Sequence, residues 1–261
     1  MSASGRLEGK RTLITGGGGG LGLAIAERFS EEGARIAICD VNPVALAEAG
    51  ARYPDWLCIP ADVSSESSVA GLFDKLRIAL GGLDVLVNNA GISGPTAPIE
   101  DIETSDWQAV LDINVLSAFF CTRLAVPMLK VQGGAIIIMS SVAGRLGYPF
   151  RTPYSTAKWA LVGLTKSLAS ELGPDRIRVN AILPGMTNGA RLDSVIHARA
   201  EKFGRSDEEQ MALQLQSVSM RMNVDAVDIA NSALFFASDE GRRVTGMALS
   251  VDAGLESIAW R

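Results

Sequence analysis

A run of five glycines, Gly16 to Gly20, followed by Leu21 and Gly22, sets the strongest limit on how this chain folds. Ahead of it lies a short apolar run, R-T-L-I-T at residues 11–15, that reads as a strand. Behind it, Leu21, Ile25 and Phe29 recur at helical spacing, and Gly33 fits a helix stop. The glycines therefore join a strand to a helix N-terminus. There, unpaired N–H groups and the helix dipole attract phosphate, and glycine lets the backbone come close to it. Two registers fit the run: G-x3-G-x-G from Gly16, Gly20 and Gly22, or G-x-G-x2-G from Gly17, Gly19 and Gly22. Spacing does not choose between them.

The second strand, A-R-I-A-I-C-D, ends at Asp40, 18 residues past Gly22. A carboxylate at that distance suits the adenosine ribose hydroxyls and repels a 2′-phosphate. With no Arg or Lys in the glycine loop or directly after Asp40, NAD is expected over NADP. A helix over 43–51 and a third strand, W-L-C-I-P-A-D-V, follow; Asp62 and Val63 are expected to end that strand beside the adenine. After a helix over 66–79, the buried strand in G-G-L-D-V-L-V-N-N-A-G ends in Asn88, Asn89, Ala90 and Gly91. Small and amide side chains there suit a ligand crevice.

The chemistry concentrates between Ser141 and Lys158, in the order S-x12-Y-x3-K. Tyr154 and Lys158 lie one helical turn apart on one face. A neighbouring ammonium favours phenolate, and a tyrosine tuned this way can exchange a proton with an alcohol or carbonyl. Ser141 closes the apolar run A-I-I-I-M-S-S and could hold the same substrate oxygen; Ser140 is its neighbour and rival. Asn114, amid apolar residues of a helix around 105–129, is either a buried hydrogen-bonding node or a surface residue. A sixth strand, R-I-R-V-N-A-I-L, leads to Pro184-Gly185, and residues 186–223 read as two amphipathic helices joined at Gly204.

The remaining composition excludes more than it adds. Net charge is −5, with a pI of about 5.1 and no basic block, which argues against nucleic acid and anionic membranes as partners. The apolar runs are too short to predict a membrane span, and the polar N-terminus has no signal-peptide core. Cys39, Cys58 and Cys121 are scattered and odd in number, so free thiols in the cytoplasm are expected. His197 is the one histidine, set among charged residues. It is expected at the surface, which disfavours a Ser-His-Asp hydrolase, and no ligand cluster for zinc exists.

Taken together, the motifs resemble the short-chain dehydrogenase/reductase family along nearly the whole chain. T-G-x3-G-x-G stands at Thr15 to Gly22, D-V at Asp62-Val63, N-N-A-G at Asn88 to Gly91, and then come Asn114, Ser141, Tyr154, Lys158 and Pro184-Gly185. Val251 to Gly254, V-D-A-G, is similar to the family's V-D-G-G. The resemblance implies one α/β, Rossmann-type doubly wound domain over 1–261, with a mainly parallel seven-stranded sheet and helices on both faces. It selects Gly16, Gly20 and Gly22, with Leu21, as the phosphate loop. It implies Tyr154 as acid/base, Lys158 on the nicotinamide ribose, Ser141 on the substrate oxygen and Asn114 on a relay water. Asp40, Asp62, Val63, Asn89, Ala90, Gly91, Pro184, Gly185 and Thr187 would border the cofactor.

Two departures stand out. Where the family often has threonine five residues past the proline, this chain has Gly189, so Thr187 is the available hydroxyl. The segment 186–223 is long, and in this family that region covers the substrate, so a water-excluding lid is expected. The implied reaction is hydride transfer between NAD and a secondary alcohol/ketone pair, without metal. Arg145, Arg151 and Arg191 flank the pocket in sequence and could pair with a substrate anion. A nucleotide-sugar epimerase or dehydratase is disfavoured by chain length, and an NAD-sensing regulator without turnover by the full proton-transfer set. The resemblance also implies a homotetramer, whose interface the apolar C-terminal segment around Trp260 could help bury.

Overall fold

A computed structural model describes residues 5–257; the part of the C-terminal segment that holds Trp260 lies outside them. Seven strands form one sheet in the order β3-β2-β1-β4-β5-β6-β7, with every neighbouring pair parallel. They are β1 (Arg11–Thr15), β2 (Arg35–Asp40), β3 (Leu57–Pro60), β4 (Val85–Asn88), β5 (Gly134–Met139), β6 (Ile177–Pro184) and β7 (Ala248–Val251). Most strand residues are apolar because both faces of the sheet are covered; β6 carries Arg178 and Asn180 within its run. Along β1, Leu13 points into one core and Ile14 into the other; along β5, Ile136 and Ile138 oppose Ala135, Ile137 and Met139.

Helices α1 (Gly20–Glu31) and α2 (Pro43–Arg52) cover one face with α9 (Ala226–Ala237), burying Ile25, Phe29, Leu46, Ile229 and Phe236 against it. On the other face, α3 (Glu66–Leu80), α5 (Ser117–Leu129) and α6 (Thr152–Leu172) bury Leu72, Phe73, Cys121, Ala125 and Leu161. Local chemistry sets the ends. Asn42 caps α2 by accepting from the Val44 and Ala45 N–H groups, and Gly33 follows α1 with φ +84°. The sheet order reverses between β1 and β4, so a crevice opens beyond their C-terminal ends, where the glycine loop and Asn89 to Gly91 lie.

Three local expectations change. β3 stops at Pro60, and Asp62 and Val63 stand past it in a turn, because the Asp62 carboxylate accepts from the Ser64 N–H at 2.9 Å and so bends the chain toward α3. The helix around 105–129 is α4 (Thr104–Leu111), a π-helical turn over Asp112–Leu116, then α5. As one rod, Thr104–Leu129 is 26 residues long and apolar enough by length and composition to cross a membrane, a possibility the short runs had hidden. Its buried Asn114, Ser117 and Thr122 and its packing on the sheet mark it as a helix of this core. The segment 186–223 holds α7 (Ala190–Phe203) and α8 (Asp207–Leu215), parted at Gly204 with φ +62°. His197 is exposed on α7, 3.2 Å from Asp207 of α8.

Candidate active site

The glycine loop takes the first of the two registers. Gly16 and Gly20 have φ of +61° and +54°, where a side chain is strained, whereas Gly19 is extended at φ −165° with open space around it. A Cβ on Gly22 would stand 2.1 Å from the Gly16 carbonyl oxygen, so α1 can start close beneath the loop only with glycine there. No side chain caps α1 and no acidic residue sits in its first turn, which leaves its N–H groups for an anion. Asp40 faces the loop: its carboxylate accepts from the Gly18 N–H and the Asn42 N–H, each at 3.0 Å. A cleft of about 1160 Å3 runs from here past Asp62, Val63, Ala90 and Gly91 to Tyr154 and on to α7. The loop, the free helix terminus and the carboxylate at the end of β2 fit a dinucleotide.

The catalytic candidates meet at the middle of that cleft. Tyr154 and Lys158 come from the first turns of α6, and the Lys158 Nζ stands 5.5 Å from the Tyr154 ring centre. Lys158 is buried and donates to the Met139 carbonyl at 2.9 Å. Burial pulls its ammonium down to about 7, and the positive charge of Arg191 adds to that. Ser141 follows β5 on a 3-10 turn over Val142–Gly144, and its Oγ accepts from the Ala143 N–H at 3.1 Å. That leaves its hydroxyl proton for another acceptor. Ser140 is engaged: its Oγ donates to the Lys158 carbonyl at 2.8 Å within the core. Gly144 lets α6 pack this closely, since a Cβ there would meet that same carbonyl oxygen at 2.6 Å.

Asn114 is the buried node of its two alternatives. Its Nδ2 donates to Val110 O at 2.8 Å and Ile92 O at 3.1 Å, and its Oδ1 has no partner in the protein. It stands behind the cleft wall. A Cβ on Gly91 would lie 2.5 Å from Asn114 Oδ1 and 3.6 Å from Lys158 Nζ, so the amide oxygen and the ammonium border one small space. The π-helical turn supplies the offset that turns Asn114 inward between α4 and α5.

The other candidates divide. Pro184, Gly185 and Thr187 line the cleft; the Thr187 hydroxyl donates to Gly185 O at 3.3 Å, so it is turned back on its own loop. Arg151 and Arg191 also line it, with Arg191 donating to Gly91 O at 3.0 Å. Arg145 does not. It pairs with Glu256 at 2.7 Å and donates to Ala248 O at 2.6 Å, tying the 3-10 turn to β7 and the C-terminal segment, so it is withdrawn as a substrate ligand. Asn89 spends its amide on the glycine loop, donating to Thr15 O and Gly16 O at 2.9 and 3.1 Å.

Sequence reasoning missed two features. The Thr15 hydroxyl accepts from the Asn89 and Ala90 N–H groups at 3.0 Å each, which braces the loop against the end of β4. The T-G and N-N-A-G motifs contain both halves of this brace. Tyr148, Phe150, Arg199 and Lys202 line the far end of the cleft; Arg199 and Lys202 continue the helical spacing of Arg191, while no periodicity marks Tyr148 and Phe150.

A phosphate-binding strand–loop–helix joined to a Ser/Tyr/Lys proton-transfer cluster defines a Rossmann-type oxidoreductase. Comparison with known proteins gives the narrower group. Residues 17–256 match the family model described as Enoyl-(Acyl carrier protein) reductase. The chain is 35% identical to a 3beta-hydroxysteroid dehydrogenase of Mediterraneibacter gnavus, covering 96% of both chains. It is 37% identical to a probable galactose dehydrogenase of Rhizobium meliloti, covering 95% of this chain and 96% of the other. A crystal structure of NAD+-bound xylitol dehydrogenase superposes with a TM-score of 0.90 at 35% identity, covering 95% of this chain and 99% of that one. The chain belongs to the short-chain dehydrogenase/reductase family. It is an oxidoreductase of the alcohol/ketone class.

Proposed function

We propose that the protein moves hydride between NAD and a secondary alcohol/ketone pair, with Tyr154 as the acid/base. The observation that carries this is the meeting of Ser141, Tyr154 and Lys158 in the cleft that begins at the glycine loop. The N–H groups of Gly16 to Leu21 and the α1 terminus would hold the diphosphate, and Asp62 and Val63 would border the adenine. Pro184 to Thr187 would flank the nicotinamide, and Lys158 its ribose. What NAD supplies when bound is the hydride-accepting ring.

The chain's own residues handle the proton. Tyr154 takes it from the substrate hydroxyl during oxidation and returns it during reduction. The Ser141 hydroxyl donates to the developing alkoxide, and Lys158 with Asn114 carries the proton onward from Tyr154. Asp40 supports NAD over NADP, because its carboxylate faces the adenosine end and, among the described residues, forms no ion pair. NAD in the xylitol dehydrogenase structure is consistent with that reading. The α7–α8 segment closes the cleft as a lid. Leu116, Phe119 and Trp159, exposed around α5 and α6, support a homotetramer, testable by light scattering as a mass near four times 27.5 kDa. The free thiols support a reducing, cytoplasmic setting.

The deciding experiment follows NADH formation over sugars, polyols, hydroxy acids, steroids and terpene alcohols, with NADP in parallel, and NADH consumption with an enoyl thioester. Tyr154→Phe keeps NADH binding and loses about 100-fold or more in kcat. Near-normal turnover in that variant defeats the assignment.

A further inference from the structure

The substrate end of the cleft is cationic. Arg151, Arg191, Arg199 and Lys202 line it, while the two acidic lining residues, Asp40 and Asp62, stand at the opposite end beyond β2 and β3. Among the described residues, none of these four cations forms an ion pair. The chain has 29 acidic residues against 24 basic ones, so carboxylates to pair them are not scarce. Other cations, such as Arg35, Arg178 and Arg221, also lack an ion pair among the described residues; what marks this wall is that four of them gather on it.

Three of the four come from α7. Arg191, Val195, Arg199 and Lys202 are spaced by four, four and three residues, which puts them on one helical face, and all four line the cleft. Arg151 comes from the other wall, just before α6. It is 3% exposed, its Nη2 donates to Ser93 O at 3.0 Å, and its buried Nε has no partner. Its guanidinium lies 5.0 Å from the Tyr154 ring centre and 5.6 Å from that of Tyr148. Arg199 lies 5.2 Å from the same Tyr148 ring, so one aromatic residue orients guanidinium groups from both walls. Burial chiefly, with the charges of Arg199 and Arg191 adding to it, lowers the Arg151 guanidinium, as expected for like charges gathered without a counterion.

We propose that the alcohol or ketone taken by this site carries a carboxylate, held between Arg199 on α7 and Arg151 on the opposite wall, with the reacting carbon at Tyr154 and Ser141. This deepens the dehydrogenase reading and rests on it. A guanidinium presents a planar fork that matches a carboxylate, and aromatic packing fixes that fork before the ligand arrives. Because α7 belongs to the lid, the carboxylate would also draw the lid toward α6.

The test separates charge recognition from turnover. Oxocyclohexanecarboxylates (3- and 4-oxo) and straight-chain oxo acids are compared with their primary carboxamides, which match them in shape and lack the charge. Binding is read by thermal shift of the Tyr154→Phe protein with NADH, and turnover by NADH oxidation in the unaltered protein. We expect at least one acid to bind roughly tenfold or more tightly than its amide, as loss of a charged hydrogen-bonding partner implies. That preference falls in Arg199→Gln, is only partly kept in Arg199→Lys, which retains the charge without the fork, and weakens with salt. Equal binding of acids and amides across the series overturns the proposal, as does an acid preference that Arg199→Gln leaves intact. Acid binding without turnover in the unaltered protein supports the carboxylate site while counting against the dehydrogenase reading. Turnover of amides and acids with equal KM does the reverse.

Discussion

Replacing Gly22 by alanine and Gly19 by alanine should have opposite consequences, although the two glycines lie three residues apart in one loop. At Gly22 a Cβ would stand 2.1 Å from Gly16 O and 2.6 Å from Asn89 Nδ2, the two atoms that join the loop to the end of β4. Either the loop or the first turn of α1 must then move by about an ångström. Overpacking of this kind costs about 1–3 kcal/mol, and loss of the Asn89–Gly16 hydrogen bond about 1 kcal/mol more. Together that is about 2–4 kcal/mol, or roughly 4–16 °C in Tm for a chain near this size. Displacement of the N–H groups aimed at the phosphates should also raise the NADH Kd by about tenfold or more. At Gly19 a Cβ meets nothing within 4 Å and the backbone is already extended, so alanine should leave Tm within about 1 °C or raise it slightly. Differential scanning calorimetry and NADH fluorescence titration read both quantities. If Gly19→Ala is the more damaging change, the register built on Gly16, Gly20 and Gly22 is wrong; if Gly22→Ala retains Tm and NADH affinity, the close approach of Gly22 to Gly16 O is not needed in either register.

Three further outcomes follow from the site. Lys158 is held to about 7 in the fold and rises to its ordinary value near 10.5 when unfolded. The unfolded chain therefore binds more protons between those limits, so the cost of burying Lys158 is full below pH 7 and is relieved as pH rises toward 10.5. Subtracting the Tm–pH profile of Lys158→Met from that of the unaltered protein should leave a rising contribution above pH 7; a flat difference contradicts it. Ser140 and Ser141 should separate: Ser140→Ala loses about 1 kcal/mol of stability by freeing the Lys158 carbonyl, while Ser141→Ala loses mainly kcat. Urea unfolding and steady-state kinetics distinguish them, and the opposite assignment of effects would reverse the two roles. Asp40→Ser should raise the ratio of NADP to NAD turnover, and an unchanged ratio would show that Asp40 does not select the cofactor.

The sheet was legible because most strands are short, mainly apolar runs closed by glycine, proline, serine, aspartate or asparagine, and because both faces are covered. The glycine register was not, since five identical residues carry no positional information; only the positive φ of Gly16 and Gly20, against the extended and open Gly19, separates the two. Ser140 and Ser141 were likewise adjacent and chemically identical. Their difference lies in which one turns toward the core to meet α6, and that is decided by packing at Gly144. Arg145 was misread for a related reason. It lies four residues past Ser141, but the partner that takes its charge is Glu256, more than a hundred residues later, and nothing local announces that pairing.

Asn114 and Arg151 show what tertiary structure adds to a motif. Each is almost wholly buried, each makes hydrogen bonds that fix its orientation, and each keeps one polar atom, Asn114 Oδ1 or Arg151 Nε, without a protein partner. Folded proteins satisfy nearly all buried polar groups, because an unsatisfied one costs about 1–3 kcal/mol. Both atoms lie around Tyr154 and Lys158, where a ligand can reach the space they border. The cost is recovered when ligands complete the site, so ligand binding and stability must be coupled there. At 100 times Kd a ligand adds about 2.7 kcal/mol of stability. NADH followed by a substrate-like ketone should therefore raise Tm in two successive steps. Asn114→Leu, which removes the amide and its unpaired oxygen together, should shrink the NADH step more than it lowers the Tm of the free protein. A large loss in the free protein with an undiminished NADH step would make Asn114 a packing residue and no part of the site.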